Sequence, residues 1–172
     1  MIKIRKTCTA LAICLSVMAV SSAAFAQTAT ATLNVTAIVG DVCNIATSAV
    51  AFGAYDPLVV NLTAPLNGTG TVSTTCASGL ANTITLDQGV NAAGGSTAAV
   101  PLRQLKSGTA MLGYFLYQNN TRTTVWGNTP ASGFSETGTG LNTITTVYGQ
   151  IPGGVNAPAG AYADTVTATV TF

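Results

Sequence analysis

The sequence contains no histidine among its 172 residues. Without imidazole there is no Ser-His-Asp triad, no Cys-His pair and no imidazole-ligated metal. The five carboxylates, Asp41, Asp56, Asp87, Glu136 and Asp164, are widely scattered, and nothing in their spacing predicts an acid–base couple. Gly68-Thr69-Gly70 and Gly138-Thr139-Gly140 are not followed by the helix pattern that a phosphate-binding loop requires. Asn-x-Thr sequons at Asn34, Asn61, Asn67 and Asn119 are explained by chance in a chain so rich in Asn and Thr. The chain reads as a non-enzyme with no cofactor, no metal and no small-molecule substrate.

Cysteine is the remaining reactive type, and its reading depends on the first residues. Lys3, Arg5 and Lys6 form a basic stretch, Leu11–Val20 an apolar one, and Ala24-Phe25-Ala26 a small-residue cleavage site before Gln27. The apolar run is short of the roughly 20 residues that span a bilayer, so residues 1–26 are expected to be a cleaved secretory signal. Cys8 and Cys14 leave with it, and Cys43 and Cys76 remain. One pair in an exported chain is expected to form a structural disulfide. A redox or metal role lacks a C-x-x-C spacing to support it.

Cleavage also changes length and charge. It leaves 146 residues, enough for one domain with a core. Three basic residues (Arg103, Lys106, Arg122) then face five carboxylates, a net charge of −2. No basic patch survives, which argues against nucleic acid and against anionic membrane surfaces as partners.

The elements that fill this length are short. No stretch of twelve residues shows a convincing apolar period of 3.6, whereas β-branched and aromatic runs recur between Gly, Pro and Asn signals. Predicted strands cover Ser48–Tyr55, Leu58–Leu62, Gly70–Cys76, Asn82–Asp87, Met111–Gln118, Thr123–Trp126, Asn142–Ile151 and Ala161–Phe172. Their spacing suggests an antiparallel sandwich of immunoglobulin-like type. Tyr114, Phe115, Tyr117 and Trp126 read first as core packing, with a carbohydrate-binding or adhesive patch as the alternative.

Both ends carry alternating strands. Ala29, Ala31, Leu33, Val35, Ala37 and Val39 share one side of a predicted strand Ala29–Val39, with Thr30, Thr32, Asn34 and Thr36 on the other. At the far end Tyr162, Val166, Ala168, Val170 and Phe172 share a side, Asp164 being the exception. Periodicity alone leaves two readings open, ordinary edge strands or a strand lent to a neighbour.

A family resemblance bears on that choice. Phe52-Gly53-Ala54-Tyr55-Asp56-Pro57 resembles the F-G-x-Y-D-P motif of the spore coat protein U family, which includes subunits of archaic (Csu-type) chaperone–usher pili. The ending Gly160–Phe172 is similar to that family's closing G-x-Y-x-D-x-V-x-V-x-V-x-Y/F strand, with Ala168 in place of the usual Val. Cys43 and Cys76 resemble its early cysteine pair. The resemblance implies an all-β, incomplete immunoglobulin-like sandwich over 41–172, preceded by a donor-strand extension over 27–40. It implies a pilus subunit whose groove, walled in part by Tyr162, Val166, Ala168, Val170 and Phe172, is filled first by a PapD-like periplasmic chaperone. At an outer-membrane usher the extension of another copy or a related pilin then replaces it. A secreted spore- or cell-coat protein of the same family is the alternative.

Overall fold

The computed structural model describes residues 26–172; the expected signal, apart from Ala26, lies outside the described residues. Residues up to Ala37 and residues Ile38–Phe172 form two separate units. From 26 to 42 the chain takes no regular secondary structure and every residue is exposed. The predicted strand Ala29–Val39 is therefore not a strand of the single chain. Alternation makes a segment able to pair, but a ladder also needs a partner edge to supply its hydrogen bonds.

Eight strands build the second unit: β1 (Cys43–Ala51), β2 (Leu66–Cys76), β3 (Ala81–Leu86), β4 (Arg103–Ser107), β5 (Ala110–Tyr117), β6 (Phe134–Thr137), β7 (Asn142–Ile151) and β8 (Ala168–Thr171). Pro130–Ser132 adds one 3-10 turn, opened by a reciprocal Thr129–Ser132 cap. The strands form two antiparallel sheets, ordered β1-β2-β7-β5-β4 and β6-β3-β8. β2 and β7 alternate buried with less buried residues, as strands with one face in a core must. Val72, Ile84, Leu86, Leu112, Leu116, Val147 and Ile151 are buried in the core, with Tyr114 and Trp126 among them.

Several predicted elements differ from the observed ones. Leu58–Leu62 is a run of turns, because the Asp56 carboxylate accepts the N–H groups of Leu58 and Val59, both at 3.0 Å, and curls the chain. Thr123–Trp126 makes only a bridge, Tyr117 to Val125, beside β5. β4 and β6 were not foreseen. β4 hides because Arg103, a residue that ordinarily marks surface, is 1% exposed there.

Ala161–Phe172 is broken rather than continuous. Ala163 and Lys106 exchange backbone bonds of 2.9 and 3.1 Å at the edge of the larger sheet, and β8 then pairs with β3 in the smaller one. In between, the backbone bonds to the loop after β3: Thr165 O accepts from Val90 N, and Thr167 O accepts from Asp87 N. The C-terminal segment thus crosses from one sheet to the other.

Candidate functional site

β1 pairs only with β2, and β8 only with β3, so each presents one unpaired edge among the described residues. An apolar opening lies between them. Its narrower part, about 290 Å³, is lined by Val50, Phe52, Leu105, Tyr114, Val166 and Ala168 among others. It continues past Val50 and Phe52 into a wider part of about 900 Å³, between Tyr55, Pro57 and Leu58 on one side and Ala157–Asp164 on the other. A covered core would leave no such seam, because unpaired N–H and C=O groups and apolar side chains there face water together.

The bend of β1 helps to form it. Ser48 pairs with Thr71 and Ala51 with Thr69, so β1 carries one extra residue in a bulge. Bulges sharpen strand twist and redirect side chains, and here Val50 and Phe52 end beside the seam. Gly149 lets them settle: a Cβ on it would lie 2.7 Å from Phe52 Cζ and from Val50 Cγ1. Phe52 also meets Tyr114 edge-on, ring centroids 6.0 Å apart.

The Phe52–Pro57 hexapeptide makes a fastened corner. Gly53 has φ +78°, which any other residue would adopt at a cost. The Tyr55 hydroxyl donates to Pro152 O at 3.0 Å and accepts from Val155 N at 3.1 Å. Asp56 is partly exposed, and the N–H groups of Leu58 and Val59 hold its carboxyl below the usual range. The buried Asn61 side chain accepts from Asp56 N at 3.0 Å and donates to Ala64 O at 3.1 Å.

Cys43 and Cys76 form a disulfide joining the start of β1 to the end of β2. Of the C-terminal set, Tyr162, Val166, Ala168 and Val170 are half-buried against the core. Tyr162, Val166 and Ala168 line the seam, Val170 does not, and Phe172 stands exposed outside the core cluster. Phe115 and Tyr117 are half-buried with rings 6.1 Å apart, so only Tyr114 and Trp126 of that aromatic group serve the core.

A polar network behind the seam escaped the sequence reading. The Arg103 guanidinium donates to the carbonyls of Leu86 and Asp87, each at 2.8 Å, and of Trp126 at 2.9 Å. Burial brings its pKa down to about 10, so it stays a cation at neutral pH. Tyr114 Oη donates to Asp164 Oδ2 at 2.7 Å, and burial followed by the Asp164 carboxylate pushes the phenol well above its ordinary value. Burial alone would raise Asp87, but the N–H groups of Thr167 and Gly89 outweigh it and hold the carboxyl low. The available signal was scarcity: Arg103 is one of only three basic residues after the expected signal.

This architecture defines the class, an antiparallel immunoglobulin-like β-sandwich left open along one seam. The chain belongs to the Spore Coat Protein U domain family, whose model matches residues 29–169. It is 47% identical over 159 residues to "Protein U" of Myxococcus xanthus, covering 88% of this chain and 89% of that protein. It is also similar to a chain in the crystal structure of the CsuC–CsuE chaperone–tip adhesion subunit pre-assembly complex, from archaic chaperone–usher Csu pili of Acinetobacter baumannii. That likeness has a TM-score of 0.55 at 22% identity over 78% of this chain and 40% of that one, and it is a likeness of fold. The family is named for a spore coat protein, and the fold is shared with a chain of a pilus-subunit complex. The disulfide fits an oxidising, exported setting. Among the described residues no helix is long and apolar enough to cross a membrane.

Proposed function

We propose that the chain is an exported structural subunit that polymerises by donor-strand complementation, the segment Ala29–Val39 of one copy filling the seam of another. The observation that carries this reading is the seam itself, walled by two unpaired strand edges and lined by core side chains. An inserted strand would satisfy backbone groups on both sides and cover the apolar floor. Leu33 and Val35, 85% and 84% exposed, supply the large apolar groups at a spacing of two. Burying each contributes roughly 1.5–3 kcal/mol, with the neighbouring alanines adding less.

Before assembly a PapD-like periplasmic chaperone covers the seam, and an outer-membrane usher passes subunits to a surface fibre that supports adhesion or biofilm formation. Low charge suits a surface that packs against its own copies. Tyr162, Val166 and Ala168 are the wall that chaperone and donor strand touch in turn. A second reading, a secreted spore- or cell-coat protein, is favoured by the 47% identity to Protein U. Both use the same seam and differ in where the polymer ends up.

The test is expression of residues 27–172 in a bacterial periplasm, with and without deletion of 27–39, followed by unheated denaturing gels. The full chain should give heat-labile ladders, and the deletion should give none and need a chaperone to stay soluble. A stable monomer indifferent to the deletion refutes the reading.

A further inference from the structure

The loop Leu58–Leu62 inverts the usual arrangement of a surface turn. Its polar anchors, Asp56 and Asn61, are spent inward on backbone groups, and Gly154 N donates to Asn61 O at 2.8 Å. Its aliphatic residues point out: Leu58 and Val59 are each 75% exposed, Val60 and Leu62 more than half. A turn fastened by six hydrogen bonds that still shows four aliphatic side chains to water is costly unless something covers it.

The loop stands at one mouth of the seam, where Pro57 and Leu58 line its wide part. Thr47–Val50 line the narrow part together with Asp164–Ala168, and the later stretch 50–58 lines the wide part together with the earlier stretch 156–164, so the two walls run in opposite directions. A strand parallel to β1 would leave by the mouth where the loop stands, its C-terminal end last.

That end is tied to a folded body by a short tether. Three residues, Gly40, Asp41 and Val42, separate Val39 from Cys43, where β1 begins. Four residue steps reach at most about 14 Å, and the eight steps from Val35 about 29 Å. A compact domain of about 130 residues has a radius of gyration of about 14 Å, which for a sphere is a diameter of roughly 36 Å, so it is wider than either tether. The neighbour's body must therefore sit against the mouth from which its own strand emerges.

With the donor strand parallel to β1, we infer that Leu58, Val59, Val60 and Leu62 are the docking surface for the body of a second copy of this chain. The inference rests on the donor-strand reading and adds the surface that sets the angle between successive subunits.

The experiment places the photo-crosslinking residue benzoylphenylalanine at Val59 in the full chain and, separately, at Ile144, another exposed aliphatic, on β7 (64% exposed against 75%). Each is also combined with Leu33→Asp. Irradiated polymers should crosslink from position 59 to residues of the neighbouring copy around 40–48, at several times the yield from position 144. Leu33→Asp should abolish ladder and crosslink together. Ladders that depend on Leu33, with no crosslink from 59 beyond that from 144, would overturn the docking surface while leaving the donor strand standing. Ladders indifferent to Leu33→Asp would overturn the donor-strand reading and the tether with it. Leu58→Ser with Val59→Ser should keep the ladders but broaden the angles between neighbouring subunits in electron micrographs; unchanged angles would count against the inference.

Discussion

Tyr114 Oη donates to Asp164 Oδ2 at 2.7 Å, tying the middle of β5 to the C-terminal segment where it crosses between the sheets. Asn91 reinforces the same carboxylate through its backbone N–H at 3.2 Å and its side chain at 3.0 Å. One wall of the seam is thus held by polar bonds to the core, not by a continuous ladder. That leaves its outer edge free while keeping it in place.

Tyr114→Phe should destabilise the chain by about 1–3 kcal/mol, because a partly buried acceptor loses its donor without a change of shape. The comparison is Tyr162→Phe, which removes an exposed bond to Pro158 O and should cost well under 1 kcal/mol. Urea denaturation followed by tryptophan fluorescence reads both, since Trp126 is buried beside this network. Equal losses would contradict the account.

Asp87 sets a pH dependence. Its folded pKa lies below the ordinary 3.8, so its contribution is fully present above that value and is lost as pH falls through the folded pKa. Urea midpoints should therefore be flat from pH 7 to about 5 and drop below about 4. Asp87→Asn should lower the midpoint at neutral pH and flatten the acid limb. An acid limb unchanged by that substitution would remove Asp87 from the explanation.

The disulfide fixes β1 at its first residue. Cys43 and Cys76 are 33 residues apart in sequence. Replacing both with alanine should cost roughly 3–4 kcal/mol in the chain-entropy model, read as a lower melting temperature. Hydrogen exchange should then rise first along β1, an edge strand that pairs only with β2 and loses its covalent tie to it.

Gly149 is a test of the seam's floor. Gly149→Ala places a methyl 2.7 Å from Phe52 and Val50, and relief requires both side chains to move toward the opening. Overpacking of this kind costs about 1–3 kcal/mol. Assembly should be impaired beyond that loss, because the displaced Phe52 occupies space the donor needs. Denaturation and ladder formation measured on the same variant separate the two effects.

Much of the fold was legible in the sequence where strands follow alternation: β2, β3, β5 and β7 all overlap predicted runs. The misses share a physical cause, side chains whose partners lie far along the chain. β4 carries Arg103, and nothing local reveals that carbonyls from Leu86, Asp87 and Trp126 will receive it. Leu58–Leu62 has a strand's composition, but Asp56 and Asn61 convert it to turns by bonds that composition does not register. The closing segment was legible as an alternating stretch, and its Tyr162, Val166 and Ala168 line the opening. Its break at Asp164–Thr167 was not, because the loop after β3 supplies the competing bonds. Ala29–Val39 shows the limit most clearly: its pattern describes a strand, and in the single chain these residues take no regular secondary structure.

Amide hydrogen exchange across residues 29–39, compared between monomer and polymer, addresses the central claim most directly. In the monomer these amides should exchange at rates typical of open chain, as their full exposure requires. In the polymer they should be slowed by orders of magnitude, with matching new protection along the free edge of β1. Polymers in which residues 29–39 exchange as fast as in the monomer would contradict the account.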